Sequence, residues 1–388
     1  MMDDNNRKFD PEEFKTSAGS TEGNMDKTIR IDSTEAVRKT ATKPAEGKVR
    51  KVKQKKQRRW RLGFYTKFLL FVDVCAIICF YLVYGPYDKI RDWYITTALT
   101  TGTHKYLAYI FYDDDAIAEV LDKNRTIVSG ESTDLSQIKI VDNPDTGYYA
   151  TEYDRLILQR DDPDQAYKVI DIDENGYKGW ITVIYQPQRL ELVTSRSRYG
   201  STITMFAADN DAIVAINGGG YNLYGDNTIS SLGSVIKEGV IVDNADKREE
   251  LVCMDWEGRL FLKYGTADDA LADGARWALT FGPFLIVNGE KTTFMGNGGY
   301  GVQPRTAIGQ RKDGVVLLVT IDGRGSGGSY GASMTELADL FERYGAYNAS
   351  NLDGGGSSML AINGELVNHP AGWNYTGERY VYDAIIFR

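Results

Sequence analysis

Histidine is nearly missing: His104 and His369 are the two in 388 residues. A zinc hydrolase or a histidine-rich two-metal phosphodiesterase draws on clustered imidazoles, so the scarcity argues against both classes. Calcium or magnesium held by carboxylates stays unassigned, because no ligand cluster at fixed spacing asks for one, and nothing in the sequence requires a cofactor. Cysteine is almost as scarce. Cys75 and Cys79 fall within one apolar run, which leaves Cys253 alone in the remainder. No intrachain disulfide can form there, and the domain must be held by its core, which its size allows.

Other absences divide the chain. Met1 to about Arg59 has almost no aromatic residues and is rich in Ser, Thr, Asp, Glu and Lys; such a segment buries too little apolar surface to offset its chain entropy. Residues 1–60 therefore read as a disordered tail. Lys48, Arg50, Lys51, Lys53, Lys55, Lys56, Arg58, Arg59 and Arg61 run without an acid between them, inside a chain of net charge −9. The rest is strongly acidic, which disfavours nucleic acid as a partner.

The long apolar run is "FYTKFLLFVDVCAIICFYLVYG", residues 64–85, long enough to cross a hydrocarbon core of roughly 30 Å as a helix. Lys67 can snorkel, and Tyr65, Tyr81 and Tyr84 suit the interface. The run starts too far in for a secretory signal, and no small-residue cleavage site follows it. The basic residues before it keep that side in the cytoplasm. The expectation is a single-pass membrane protein with its N-terminus inside and its domain outside. Asp73 within the span marks either a partner helix or an acid tolerated near an end.

Residues 88–162 read as a stalk or spacer. "DWYITTALTTGTHKYLAYIF" suits an amphipathic helix, lying on the outer membrane surface or against a second copy. From Gln165 to Arg388 the pattern is α+β: a mixed β-sheet domain with few helices and glycine-rich loops at strand ends, preceded by the one transmembrane helix. Asn175-Gly176, Asn288-Gly289 and Asn363-Gly364 sit between β-formers as hairpin turns. Asp171, Asp173, Asn175 and Gly176 imitate the start of a calcium loop, but Thr182 stands where the bidentate Glu belongs. "STITMFAADND" suits a helix of about three turns. "SMTELADLFERYG" offers a Ser333 cap, Glu336 at the capping-box position and a stop at Gly345.

Four glycine-marked loops follow apolar β-prone runs: "AIVAINGGGYN", "GVQPRTAIG", "VVLLVTIDGRGSGG" and "SNLDGGGSSML". Their hinges carry Asn217, Arg305 with Thr306, Asp322 with Arg324, and Asp353 with Ser357 and Ser358. Glycines such as Gly354, Gly355 and Gly356 either turn N–H groups toward an anion or allow a tight turn or bulge. Together the loops suit a substrate joining a sugar to a phosphate: arginine for the phosphate, aided by Arg324 or Arg379, and carboxylates at the anomeric carbon.

"INGGGY", "PRTAIG", the Asp322-Gly323 strand end, the Glu336 helix and above all "NLDGGGSS" resemble the signature of the phosphodiester glycosidase family, over about Gln165 to Arg388. The resemblance implies hydrolysis between a sugar's anomeric carbon and a phosphodiester oxygen. Carried onto matching positions, it implies site roles for Asn217, Arg305, Thr306, Asp322, Glu336, Asp353 and Ser357, with Arg379 also at a recurrent position. In this reading Asp353 is nucleophile or water-activating base, Arg305 stabilises the departing phosphate, and Asp322 or Glu336 orients the sugar. Retention or inversion turns on a carboxylate separation of about 5–5.5 Å against about 6.5–9.5 Å. Glu336 has an equal claim as a helix cap. An outer, anchored domain points to cell-envelope glycopolymers or exopolysaccharides as substrate.

Two other readings compete. "GGSYG" fits G-x-S-x-G, and Ser329, Asp353 and His369 follow in the order of an α/β-hydrolase triad; the serine stands several residues past its strand, where a nucleophile elbow turns sharply. A non-catalytic glycopolymer-binding or assembly protein would use the 12% aromatic content for sugar stacking.

Overall fold

The computed structural model describes residues 49–100, 105–127, 130, 132–372 and 376–388. Most of the tail expected over residues 1–60 thus lies outside the described residues. From Val49, however, the basic run is helical and continuous with the apolar one: helix α1 is Val49–Tyr84. Lys, Arg and Gln are good helix formers, so nothing interrupts it before Gly85. Its Gly63–Tyr84 part is the one helix among the described residues long and apolar enough to cross a membrane. The chain divides into two compact units, Met1–Val74 and Cys75–Arg388.

In the second unit, a seven-stranded antiparallel sheet runs in the order Glu290–Lys291, Phe284–Val287, Ala346–Leu352, Arg305–Arg311, Val316–Ile321, Tyr177–Ile184, Tyr167–Glu174. A five-stranded sheet runs Glu365–Leu366, Leu360–Ile362, Val214–Asn217, Asp383–Phe387, Leu190–Thr194. Another five-stranded sheet is built on Glu249–Asp255. The three sheets share one core, in which Ile308, Leu318 and Leu352 meet Ile216, Leu360 and Phe387, and Val252, Leu262 and Trp277.

The central strands are apolar on both faces because both are covered. Ile308 and Leu318 face the shared core, whereas Ala307, Leu317 and Val319 face Leu337 and Phe341 of the Met334–Arg343 helix. Close packing explains a glycine here: a Cβ at Gly179 would lie 2.4 Å from the Thr320 carbonyl oxygen and 2.9 Å from Ile321 Cα. Gly179→Ala is expected to destabilise the domain by about 1–3 kcal/mol, read as a lower urea midpoint at unchanged m-value.

All three Asn-Gly pairs form two-residue turns with positive φ at both positions, 50° and 83° at Asn175-Gly176, as a type I′ hairpin demands. Glu174, beside the first turn, is paired with Arg343 and Tyr177. Ser333 and Glu336 complete the capping box. The "STITMFAADND" helix is shorter than expected, seven residues over Ile203–Asp209.

Residues 88–162 do not stand apart as a spacer. Helices α2 (Asp88–Thr100), α3 (Tyr106–Phe111) and α4 (Asp114–Lys123) replace the single helix expected there. Thr126–Ile127 pairs with Thr293–Phe294, the Thr133 N–H donates to Leu262 O at 3.1 Å, and Ile157 and Leu158 enter the core beneath Met334–Arg343. Those two apolar side chains add to the cover that the Met334–Arg343 helix gives this face of the large sheet.

Candidate active site

Strand register brings the candidate loops to one end of the sheets. Thr306 pairs with both Leu352 and Thr320, so Arg305, Asp322 and Asp353 emerge at neighbouring strand ends. Ala384 pairs with Asn217 in the second sheet, which delivers the "INGGGY" loop to the same place. The Asp353 N–H donates to Gly218 O at 3.0 Å. Asn217 Nδ2 donates to Asp353 O at 2.6 Å, and Asn217 Oδ1 accepts from Thr306 Oγ1 at 2.8 Å and from the Met359 N–H at 3.1 Å. Asn217 and Thr306 are buried; they hold the two sheets and the Asp353 loop together.

The Asp353 carboxyl is pushed up to about 6 by burial, against the opposing pull of the Ser357 hydroxyl, the Arg379 guanidinium and the Gly354 N–H. Ser357 is buried. Of the three glycines, Gly355 has its N–H engaged with Pro304 O at 2.8 Å, and the Ser357 and Ser358 N–H groups donate to the Gly354 and Gly355 carbonyls. Their need is close approach. A Cβ would sit 2.8 Å from Pro304 O at Gly354, 3.0 Å from Arg324 Nη2 at Gly355 and 3.4 Å from Arg379 Nη1 at Gly356.

Arg305 differs from expectation. Its buried guanidinium donates to Ala332 O at 2.9 Å, Tyr300 O at 3.1 Å and Gly301 O at 2.6 Å, and burial pushes it down to about 10. It braces the loop before its own strand. The cations facing the glycine loop are Arg324 and Arg379. Arg324 Nε donates to Gln303 Oε1 at 3.0 Å, and Arg379 lies over the Tyr221 ring at 5.6 Å. Burial and then the Arg379 charge hold the Arg324 pKa below its ordinary value, as expected of two cations converging where an anion would bind.

Asp322 is an anchor. Its Oδ1 accepts from Asn368 Nδ2 at 2.9 Å and the His369 N–H at 3.1 Å, and its Oδ2 lies 3.2 Å from His369 Nδ1. Asn368 Nδ2 also donates to Ser358 O at 2.9 Å, tying this loop to the Asp353 loop. The serine triad is not assembled: His369 pairs with Asp322, and buried Ser329 Oγ donates to the Asp322 backbone oxygen at 2.5 Å and accepts from the Lys178 N–H at 3.0 Å. Glu336 Oε2 accepts from the Ser333 N–H and Oγ, both at 2.8 Å, so its carboxylate is engaged as the cap. No group of three or more His, Cys, Asp or Glu side chains converges as a cation site among the described residues.

Sequence reasoning passed over Asp383. This buried acid opens the last strand; its Oδ1 accepts from the Gly219 N–H at 2.7 Å, and its Oδ2 has no partner. Burial pushes it up to about 7, opposed by the Gly219 N–H and reinforced by the charges of Asp353 and Asp243. A Cβ at Gly218 would lie 2.5 Å from Asp383 Oδ1, so the "INGGGY" glycines make room for this carboxyl. An acid breaking the apolar run "VYDAIIF" was the available signal.

Residues 210–388 match the family model described as phosphodiester glycosidase. SPbeta prophage-derived uncharacterized protein YomE of Bacillus subtilis (strain 168) is 33% identical over 178 residues, 43% of this chain and 27% of that protein. The N-acetylglucosamine-1-phosphodiester alpha-N-acetylglucosaminidase of Bos taurus is 26% identical over 193 residues, 45% of this chain and 36% of that protein. The chain therefore spans roughly a third or less of the length of these curated relatives. The zebrafish N-acetylglucosamine-1-phosphodiester alpha-N-acetylglucosaminidase catalytic domain, solved auto-inhibited by its pro-peptide, aligns at TM-score 0.49 and 21% identity over 57% of this chain and 82% of that one.

Proposed function

We propose, taking residues 210–388 as a domain of the phosphodiester glycosidase family, that the protein hydrolyses the bond between a sugar's anomeric carbon and a phosphodiester oxygen. The observation that carries this reading is the Asp353 carboxyl set against the Arg324–Arg379 pair across one glycine loop. With a pKa of about 6, Asp353 is mostly ionised at neutral pH. It acts at the anomeric carbon, as nucleophile or as base toward water. The carbon–oxygen bond breaks with its electron pair going to the phosphate, whose growing charge falls to the two guanidinium groups. Water supplies the oxygen and one hydrogen of the sugar's new anomeric hydroxyl, and its other proton passes to the released phosphate or to solvent. Asp322 works through His369 and Asn368, and Asp383 through the Gly219 loop.

Gly63–Tyr84 serves as the anchor, with the basic residues before it on the cytoplasmic side and the domain outside. This location supports an envelope or exopolysaccharide glycoconjugate as the substrate. A tag at residue 200 found in the cytoplasm by protease protection would overturn that orientation.

The test is release of free sugar from N-acetylglucosamine 1-phosphodiesters by the detergent-purified full chain. Release supports the reading; a folded protein inert toward these and toward a panel of glycosyl-phosphate polymers would leave a binding module in its place. Arg324→Ala and Arg379→Ala are each expected to lower kcat/KM by roughly 10²-fold. An effect confined to one of them would break the pairing.

A further inference from the structure

We propose that the outer faces of α2 and α3 rest on the bilayer surface at the exit of α1; this rests on reading Gly63–Tyr84 as the spanning segment. Helices α2, α3 and α4 enclose a small core of their own, Ile95, Ala98, Ala108, Ile117 and Val120. On the other side Ile90 and Trp93, three apart on α2, are 39% and 57% exposed, and Tyr109 and Ile110 on α3 are 55% and 57% exposed. A water-facing surface seldom gathers such residues, whereas Trp and Tyr are enriched where a membrane meets water.

The occupant follows from what this face is joined to. Only Gly85, Pro86 and Tyr87 separate α1 from α2. Tyr112 Oη, just past α3, donates to Val83 O at 2.8 Å, and the Tyr84–Tyr112 and Tyr81–Tyr87 rings pack at 6.4 and 5.6 Å. These contacts fix the helices at the level of the last turn of the span, where the head groups lie.

The same helices reach the candidate site. Asn297 Nδ2 donates to Thr96 Oγ1 and the Asn297 N–H to Asn124 Oδ1, both at 2.9 Å. The loop that follows supplies the Tyr300 and Gly301 carbonyls to Arg305 and the Gln303 amide to Arg324. One loop thus links this helical group to Arg305 and Arg324.

The full chain, reconstituted in phosphatidylcholine–phosphatidylglycerol vesicles with brominated acyl chains, tests this. In a Trp60→Phe background, bromolipid quenching is expected to come from Trp93 and to disappear in Trp60→Phe/Trp93→Phe; Ile110→Glu is expected to weaken it at unchanged Tm. Carbonate-resistant flotation without Trp93 quenching would overturn the docking while sparing the anchor. A chain that fails to float would overturn the anchor and the docking together, leaving the soluble-substrate assay to judge the glycosidase reading. Disulfide cross-linking of Tyr109→Cys copies in place of quenching would make a second copy the occupant and overturn the proposal.

Discussion

Asp353→Asn is expected to reduce sugar release from a glycosyl phosphodiester by roughly 10²–10⁴-fold with the fold intact, while His369→Ala leaves most of the turnover. The asymmetry follows from the contacts. Asp353 faces the arginine pair across the glycine loop, whereas His369 is held by Asp322 at the rim. Burial places the Asp353 pKa at about 6, so the proposed role of its carboxylate predicts that wild-type kcat/KM falls as pH drops below about 6. Full turnover in Asp353→Asn would remove this residue from the chemistry. Loss on His369→Ala equal to that of Asp353→Asn would transfer the key role to the Asp322–His369 pair.

The second large effect concerns stability. Asp383 has its pKa raised from 3.8 to about 7 by burial, and Asp353 from 3.8 to about 6. In the unfolded chain both acids ionise near their ordinary values; in the folded one they keep their protons to higher pH. The folded state therefore binds more protons between about pH 4 and 7, and stability falls as pH rises through that window. From Asp383 alone the loss between pH 5 and pH 8 is on the order of 3 kcal/mol. Asp383→Asn keeps an acceptor for the Gly219 N–H and removes the ionisable group, so it should flatten the profile and raise the urea midpoint at pH 8. Parallel wild-type and variant profiles would show that Asp383 ionises as freely folded as unfolded.

The parts of this fold legible in the sequence are those with local causes. Asn-Gly turns require positive φ at two successive residues, and the Ser333–Glu336 cap satisfies helix N–H groups within one turn; neither needs the rest of the molecule. The site loops were legible because glycine beside a polar hinge is a local pattern. The surroundings of each arginine were not, since Arg305 and Arg324 differ only in what folding brings to them: three carbonyls about one, a glycine loop and a second cation about the other. Asp383 was hidden because its meaning depends on Gly219, 164 residues away in the chain. The spacer expected over 88–162 failed for a related reason. The partners of its apolar residues, such as Leu340 and Phe341, lie far downstream.

The last strand, Asp383–Phe387, lies between Val214–Asn217 and Leu190–Thr194 rather than at an edge. Synthesis runs from the N-terminus, so this interior place in the sheet is filled after both its neighbours have been made. Until it is in place, Asn217 lacks its sheet partner Ala384 and the Gly219 N–H lacks the Asp383 carboxyl, so the loop between them stays unanchored however early its own residues are made.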